Sequence, residues 1–449
     1  MPGLFFVPTH DLLIINAALL ANPAHSRVQE AAYLAVRDGA IAGIGAMANL
    51  PVTAPAMAER IIDAAGNLVM PGLINCHCHG AMTLFRGLAD DLPLMTWLTE
   101  HIFPSEARLV DAEMVYWCSK LAAAEMILAG TTTVADAYFH EDAAAQAFCE
   151  SGMRAVAAQG IIDFPAPGVP DPKENITRAE RFLSAWQGKN PLLTPALFCH
   201  SPYTCGADTL QRAKELAREA GSLFFIHLAE TRGEVAQSTK QHGRTPAGLL
   251  HSLGLLDAQT ICVHSVWLEK EDIELLRESG AKMVTCPESN MKLGSGIAPL
   301  AALLAAGVPA GLGTDGCASN NDLDLFREMA SCARLHKVAA HEPTQMPAAG
   351  VLGMATEGGA GILGLGRQTG RLAIGMRADC LIIDSKQPHL TPFHNPETLV
   401  YAGRGSDVAT VLIDGRVVME NRRLLSFDLG ETLDEVRRLA KRVRAGGVP

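Results

Sequence analysis

A parallel (β/α)8 TIM barrel, joined to a small composite β-sandwich built from both chain ends, is the architecture this sequence predicts. Three observations predict it. Apolar, β-branched runs alternate with amphipathic helical stretches through the middle of the chain. Short strand patterns with Asp-Gly turns occupy both ends. Histidine or acidic residues recur where successive apolar runs stop. The 449 residues are 48% hydrophobic and 19% charged, enough to bury a large core. The expected division is 1–67 for the first part of the sandwich, 68–370 for the barrel, and 371–449 for the rest of the sandwich and a C-terminal helix.

The elements follow in order. Asp11 to Ile15 reads as a strand. Tyr33 to Arg37 and Ala40 to Ile44 form a hairpin around Asp38-Gly39, and Arg60 to Asp63 is a further strand. At the far end, Asp379 to Asp384 is a strand. Val408 to Ile413 and Arg416 to Met419 make a second hairpin around Asp414-Gly415. Neither group buries a core alone, so pairing the ends is expected. Between them lie eight strand candidates: Val69 to Ile74 running into the next residues, then Thr131 to Ala137, Ala155 to Ile162, Leu192 to Cys199, Leu223 to His227, Thr260 to His264, Lys282 to Cys286 and Pro309 to Gly313. Helical patterns separate them, as at Ala112 to Leu128, Thr209 to Ala220 and Lys270 to Ser279, and Thr432 to Arg444 reads as a solvated basic helix. A doubly wound open sheet would want a glycine-rich loop after its first strand, and none is present.

The first barrel strand ends in Cys76-His77-Cys78-His79. Strand alternation would project His77 and His79 to one side and both cysteines to the other. Thiolate sites usually use wider spacing, so histidine ligation is expected, with the cysteines as small buried hydrophobes. Active sites of such barrels lie at the C-terminal strand ends. There the chain places His77 and His79, His200, His227 with Glu230 three residues on, His264, and Asp315. Three imidazoles and a carboxylate, His77, His79, His227 and Asp315, suit one divalent ion with a position open for water. Zn2+ is the expected ion, with Fe2+ or Mn2+ as alternatives. Such an ion lowers the pKa of bound water. Asp315 and Glu230 are placed to manage protons. His264 is either a fifth ligand or a group that polarises the attacked atom, and the second role is favoured. A strand ending in paired histidines resembles the first strand of metal-dependent barrel hydrolases. That resemblance implies a bridging carboxylate, often a modified lysine, on the fourth strand of two-metal members. Here His200 stands there and Lys189 precedes the strand, so a single metal is expected.

The net charge of −11 argues against nucleic acid as a partner. The 11 cysteines show no disulfide framework, and no run approaches the length of a membrane span. Leu12 to Ala21 is preceded by Asp11 and interrupted by Asn16, unlike a secretory leader. A cytoplasmic enzyme is expected, without nucleic-acid or membrane partners, acting on a small molecule and assembling as a homo-oligomer.

Residues 71–79, His227-x-x-Glu230, His264 and residues 313–322 resemble the amidohydrolase superfamily. Longer matches at Leu84 to Leu98, Cys286 to Leu293 and Thr314 to Asn321 resemble its 5′-methylthioadenosine/S-adenosylhomocysteine deaminases. Chlorotriazine hydrolases and guanine-type deaminases share much of this framework, so attack on another N-heterocycle is the alternative activity. The resemblance implies hydrolytic deamination of adenine nucleosides. It implies that Glu230 gives a proton to the purine, that His264 and Asp315 orient and deprotonate the water, and that Glu106 holds the ribose hydroxyls. It also implies that His200 contacts substrate. For the carboxylate of a homocysteine tail, Arg154, Lys173 and Arg178 are the cations that come into view, and none sits at a strand end. All expected ligands are present, unlike in non-catalytic barrel relatives.

Overall fold

The computed structural model describes residues 10–445. Eight parallel strands follow one another in chain order, each hydrogen-bonded to the next. They are Leu73–Cys78, Thr131–Tyr138, Arg154–Ile161, Leu193–Cys199, Phe224–Leu228, Thr260–His264, Lys282–Thr285 and Ala310–Leu312. First and last meet where the Asp315 N–H donates to the His77 carbonyl at 3.0 Å. The Asn75 amide reinforces that seam, donating to Thr314 Oγ1 at 2.7 Å and accepting from the Thr314 N–H at 3.1 Å. Gly313 lets the strands approach, since a Cβ there would sit 2.9 Å from the His77 backbone.

Alternate strand residues, among them Ile74, Ala135, Val156, Ala196, Phe225, Ile261 and Val284, fill the barrel interior. The expected helices form at Ala112–Leu128, Ala207–Glu219 and Lys270–Ser279. Asp111 caps the first by accepting from the Met114 N–H at 2.8 Å. The C-terminal helix runs Leu429–Ala445. Among the described residues, no helix is long and apolar enough to cross a membrane.

The two chain ends form a separate nine-stranded sheet. Leu68–Pro71 joins them: it runs parallel to His10–Leu19 and antiparallel to Cys380–Ile383. Both Asp-Gly hairpins form with positive φ at both turn residues, +51° and +73° at Asp38-Gly39 and +53° and +76° at Asp414-Gly415. Arg154 binds this sheet to the bottom of the barrel. Its buried guanidinium donates to both Asp379 oxygens, at 2.7 and 3.1 Å, and to Asp414 at 3.3 Å.

One expectation needs correction. Val69 to Ile74 is not one strand. The apolar run breaks at Gly72, with Leu68–Pro71 in the end-to-end sheet and Leu73–Cys78 in the barrel. A Cβ at Gly72 would lie 2.0 Å from Thr132 Oγ1, so glycine is needed for the chain to cross between sheets against the second barrel strand.

Candidate active site

The first barrel strand does not keep strict alternation to its end. Its pairing with the second strand slips between Asn75 and Cys78. The irregularity separates the two cysteines: Cys76 packs in the barrel interior with Ile74 and Ala135, and Cys78 packs outside it with Met82 and Phe85. The cysteines therefore do not share a face, which corrects the alternation argument. Both thiols are wholly buried, and burial pushes their pKa values far up, the state of inert packing groups. The slip also turns His77 toward His79, their rings 4.6 Å apart edge to face.

The structure brings His77, His79, His227 and Asp315 together, with one ligand-type atom of each within 4.8 Å of the others, all buried. His77 Nε2 faces His227 Nε2 at 3.2 Å. Asp315 Oδ1 lies 3.2 Å from His79 Nε2 and 3.6 Å from His77 Nε2. Donors held at about 2.0–2.2 Å around a tetrahedral ion stand roughly 3.3–3.6 Å apart, so these separations fit a small divalent metal. The proton states of His77 and His227 fit as well, whereas burial would lower His79 but the adjoining Asp315 raises it. Burial drives His77 to about 4 and His227 well below its ordinary value, leaving both neutral. His79 Nδ1 donates to the Ala137 carbonyl at 2.5 Å, which leaves Nε2 for the cluster. Burial would raise Asp315, but the facing histidines hold it well below the carboxylate range. Its other oxygen accepts from Ser289 Oγ at 2.7 Å and Ser319 Oγ at 2.8 Å, which fixes the carboxylate plane.

Glu230 is aimed by its neighbours. Ala229 adopts φ +50°, and the turn exposes two amides to the protein interior. Both Glu234 oxygens accept there, from the Ala229 and Glu230 N–H groups at 2.8 Å each. Burial still pushes Glu234 up to about 8. Ser295 Oγ donates to Glu230 Oε1 at 3.1 Å, and Glu230 Oε2 lies 3.9 Å from His264 Nε2. Burial raises the Glu230 carboxyl above its ordinary value, the direction a proton donor needs. His264 Nδ1 contacts Asn290 Oδ1 at 3.0 Å, which assigns the proton to Nδ1 and directs Nε2 toward the cluster. His264, Ser265 and Asp315 all hold left-handed φ angles of +67°, +50° and +59°, backbone strain concentrated at the strand ends.

His79, His227, Glu230, His264 and Asp315 line one cavity together with Glu106, Tyr138, Phe198, His200 and Tyr203. Part of its wall comes from the segment after the first strand, where a π-turn at Trp97–Ile102 leads into the helix Phe103–Leu109. Tyr138 donates to Glu106 Oε1 at 2.6 Å, and burial raises Glu106 to about 7. His200 Nδ1 pairs with Thr204 Oγ1 at 3.0 Å, and burial lowers it to about 3, so it faces the cavity neutral.

Seven of the eight site residues expected from the sequence line this cavity, and the eighth, His77, joins them through its cluster with His79, His227 and Asp315. Arg154, Lys173 and Arg178 do not line it: Arg154 is held at the opposite end of the barrel, and Arg178 pairs with Glu174 at 3.1 Å. Sequence reasoning missed Ser289, Asn290 and Ser319, which lie inside the motifs already singled out, and Glu234. The Thr231-x-x-Glu234 capping pattern was the available signal for the last. Nothing in the sequence marks Tyr138.

Comparison with known proteins agrees with this geometry. The chain is 46% identical over 435 residues to a 5-methylthioadenosine/S-adenosylhomocysteine deaminase of Syntrophobacter fumaroxidans, covering 97% of this chain and 98% of that protein. It is 43% identical to a 5′-deoxyadenosine deaminase of Methanosarcina mazei, covering 97% and 99%. The crystal structure of an adenosine deaminase from Xanthomonas campestris with bound zinc superposes with a TM-score of 0.93 at 37% identity, covering 98% and 100%. The amidohydrolase family profile matches residues 68–418, from the strand that precedes the histidine pair to the last hairpin of the composite sheet. With its barrel, its buried histidine–aspartate cluster and these relatives, the chain belongs to the amidohydrolase family.

Proposed function

We propose that this protein is a metal-dependent hydrolytic deaminase of adenine nucleosides. It would convert 5′-methylthioadenosine, S-adenosylhomocysteine or adenosine to the inosine analogue and ammonia. The observation that carries this is the meeting of three groups in one cavity: the histidine–aspartate cluster, an up-shifted Glu230 within 3.9 Å of His264, and the buried Glu106–Tyr138 pair. The names of the relatives at 43–46% identity support the same chemistry.

His77, His79, His227 and Asp315 are the residues that would hold one Zn2+ per subunit. Neutral His200 at the end of the fourth strand, where a second metal would need a carboxylate, supports a single ion. A bound divalent ion supplies activation of water at neutral pH. The protein residues do the rest. His264 Nε2, its ring fixed through Asn290, orients the attacking water beside C6. Glu230 delivers a proton to N1, which draws electrons from C6 as the C6–O bond forms. Asp315 accepts a proton from the water and returns it to the amino group, which leaves as ammonia. The proton remaining on the C6 oxygen restores Glu230, and the product is the keto purine. Glu106 accepts from the ribose hydroxyls, as a carboxylate between two vicinal O–H groups can.

The test is an absorbance screen of metal-loaded protein against adenosine, methylthioadenosine, S-adenosylhomocysteine, guanine and a chlorotriazine, with ammonia measured in parallel. Loss of the adenine chromophore with one ammonia per turnover is expected. Turnover confined to guanine or the triazine refutes the proposal.

A further inference from the structure

We propose that Lys292 is a positioning residue of the site: its ammonium latches the segment leading to Glu106 against the helix that aims His264 and Asp315. The stretches Leu84 to Leu98, Cys286 to Leu293 and Thr314 to Asn321, which carry the sequence resemblance, meet at this one group. Lys292 Nζ donates to Asp90 Oδ1 at 2.6 Å, in the first stretch. It also donates to the Ala318 carbonyl at 3.2 Å and to Asn321 Oδ1, both in the third. Lys292 itself ends the helix Pro287–Lys292 of the second. An ammonium has three N–H bonds to give, and here each meets an acceptor. One cation thereby joins the loops that follow the first, seventh and eighth barrel strands.

Each of these loops bears on the site. On the helix of Lys292, Ser289 donates to Asp315 and Asn290 contacts His264 Nδ1, and the next residue, Leu293, lines the cavity. Beyond Asp90 the chain supplies Leu94, Trp97, Leu98, Ile102, Phe103 and Glu106 to the cavity wall. The near end of that segment is fixed by Arg86, which pairs with Glu125 at 3.1 Å and donates to the Asn321 carbonyl. The far end is fixed by the Tyr138–Glu106 hydrogen bond. Between them, among the described residues, the backbone of 89–92 makes no backbone–backbone hydrogen bond. Gly87 and Asp91 hold left-handed φ angles of +70° and +61° on either side of Asp90. A chain bent on both sides of a side-chain tie can swing outward when the tie breaks. The Asp90 side chain is 41% exposed, so water competes for the tie and its stabilising effect is small. That suits a latch which opens for substrate entry and product departure, rather than a support of the fold. The proposal takes its substrate from the deaminase function above, while the latch itself stands on the geometry. Only the latched form presents the complete wall, so KM should rise as the latched fraction falls. Bound nucleoside restores the closed arrangement, so kcat should be kept.

The experiment compares metal-loaded Lys292→Met, Asp90→Ala and Lys292→Arg with wild type. Asp90→Ala breaks the latch from the loop side and leaves the helix of Ser289 and Asn290 untouched. Lys292→Met and Asp90→Ala should each raise KM for 5′-methylthioadenosine about tenfold with kcat within about threefold, and Lys292→Arg should bring KM back to within about threefold of wild type. Hydrogen exchange without nucleoside should be faster across residues 86–98 in the Met and Ala variants and unchanged in the barrel strands. A KM within about twofold of wild type in Asp90→Ala, or a fall in kcat there without a rise in KM, overturns the proposal. Unchanged exchange across the segment overturns it as well. If wild-type protein turns over no adenine nucleoside, the deaminase function fails, and exchange alone then decides the latch.

Discussion

Replacing Glu234 with alanine leaves two buried amides, those of Ala229 and Glu230, without their acceptors. Glu234 is itself 6% exposed, so water has little access to replace it. An unsatisfied buried amide costs about 1–3 kcal/mol, so the turn would carry a penalty of roughly 2–6 kcal/mol if it kept its shape. Ala229 is already in a left-handed conformation, φ +50°, and the turn can shed that penalty by rotating out of it. Rotation moves Glu230, and a displacement of about 1 Å at a catalytic group costs on the order of 100-fold in rate. Glu234→Ala should therefore lower kcat by about 100-fold while KM stays within a few-fold and bound metal stays stoichiometric. Glu234→Gln keeps one acceptor oxygen and should fall between the two. Steady-state kinetics, elemental analysis and denaturant unfolding on the same preparations measure all three quantities. A variant destabilised as calculated but with kcat within about threefold of wild type would show that Glu234 only holds the fold, and that Glu230 is aimed by something else.

Three further outcomes are expected. Glu230→Gln keeps the shape and the Ser295 contact but removes the proton, and should cost about 10²–10⁴ in kcat with metal retained; near-wild-type turnover removes Glu230 from the chemistry. Glu106, raised by burial to about 7, is the diol acceptor only when ionised, so its binding contribution is present above that value and lost as pH falls through it. KM for ribonucleosides should rise by about tenfold between roughly pH 8 and pH 6, and a 2′,3′-dideoxy substrate should not show this change; equal pH profiles for the two would exclude the diol contact. Arg154→Met strands the buried Asp379 carboxylate and should destabilise the protein by about 3–5 kcal/mol in urea unfolding, with the ratio of methylthioadenosine to S-adenosylhomocysteine turnover unchanged; a shift in that ratio would give Arg154 a role in the cavity.

How legible the site was depended on the kind of signal. Histidines at the ends of apolar runs are visible because strand ends in a parallel barrel share one face, so position along the chain converts directly into position in space. His77, His79, His227, His264 and Asp315 were found that way. Tyr138 was not, because it sits at the end of a buried strand as an ordinary strand-forming aromatic, and only the packing of Phe103–Leu109 over the barrel mouth gives it Glu106 as a partner. The slip near Asn75 was equally hidden. Pairing register belongs to two strands at once, and an apolar run does not state where its neighbour breaks step.

By itself the sequence determined the alternation of strands and helices, the pairing of the two ends, and the chemical types gathered at the strand ends. These follow from local periodicity and turn chemistry, which neighbouring residues settle among themselves. The tertiary structure alone decided the crossing at Gly72 and the separation of Cys76 from Cys78. It also decided the assignment of Arg154 to the sheet–barrel junction and the absence of a cation from the cavity wall among the described residues. Each of these depends on which distant side chain arrives in contact. A guanidinium 225 residues from its carboxylate partner reads the same in sequence whether it binds a substrate or binds the fold.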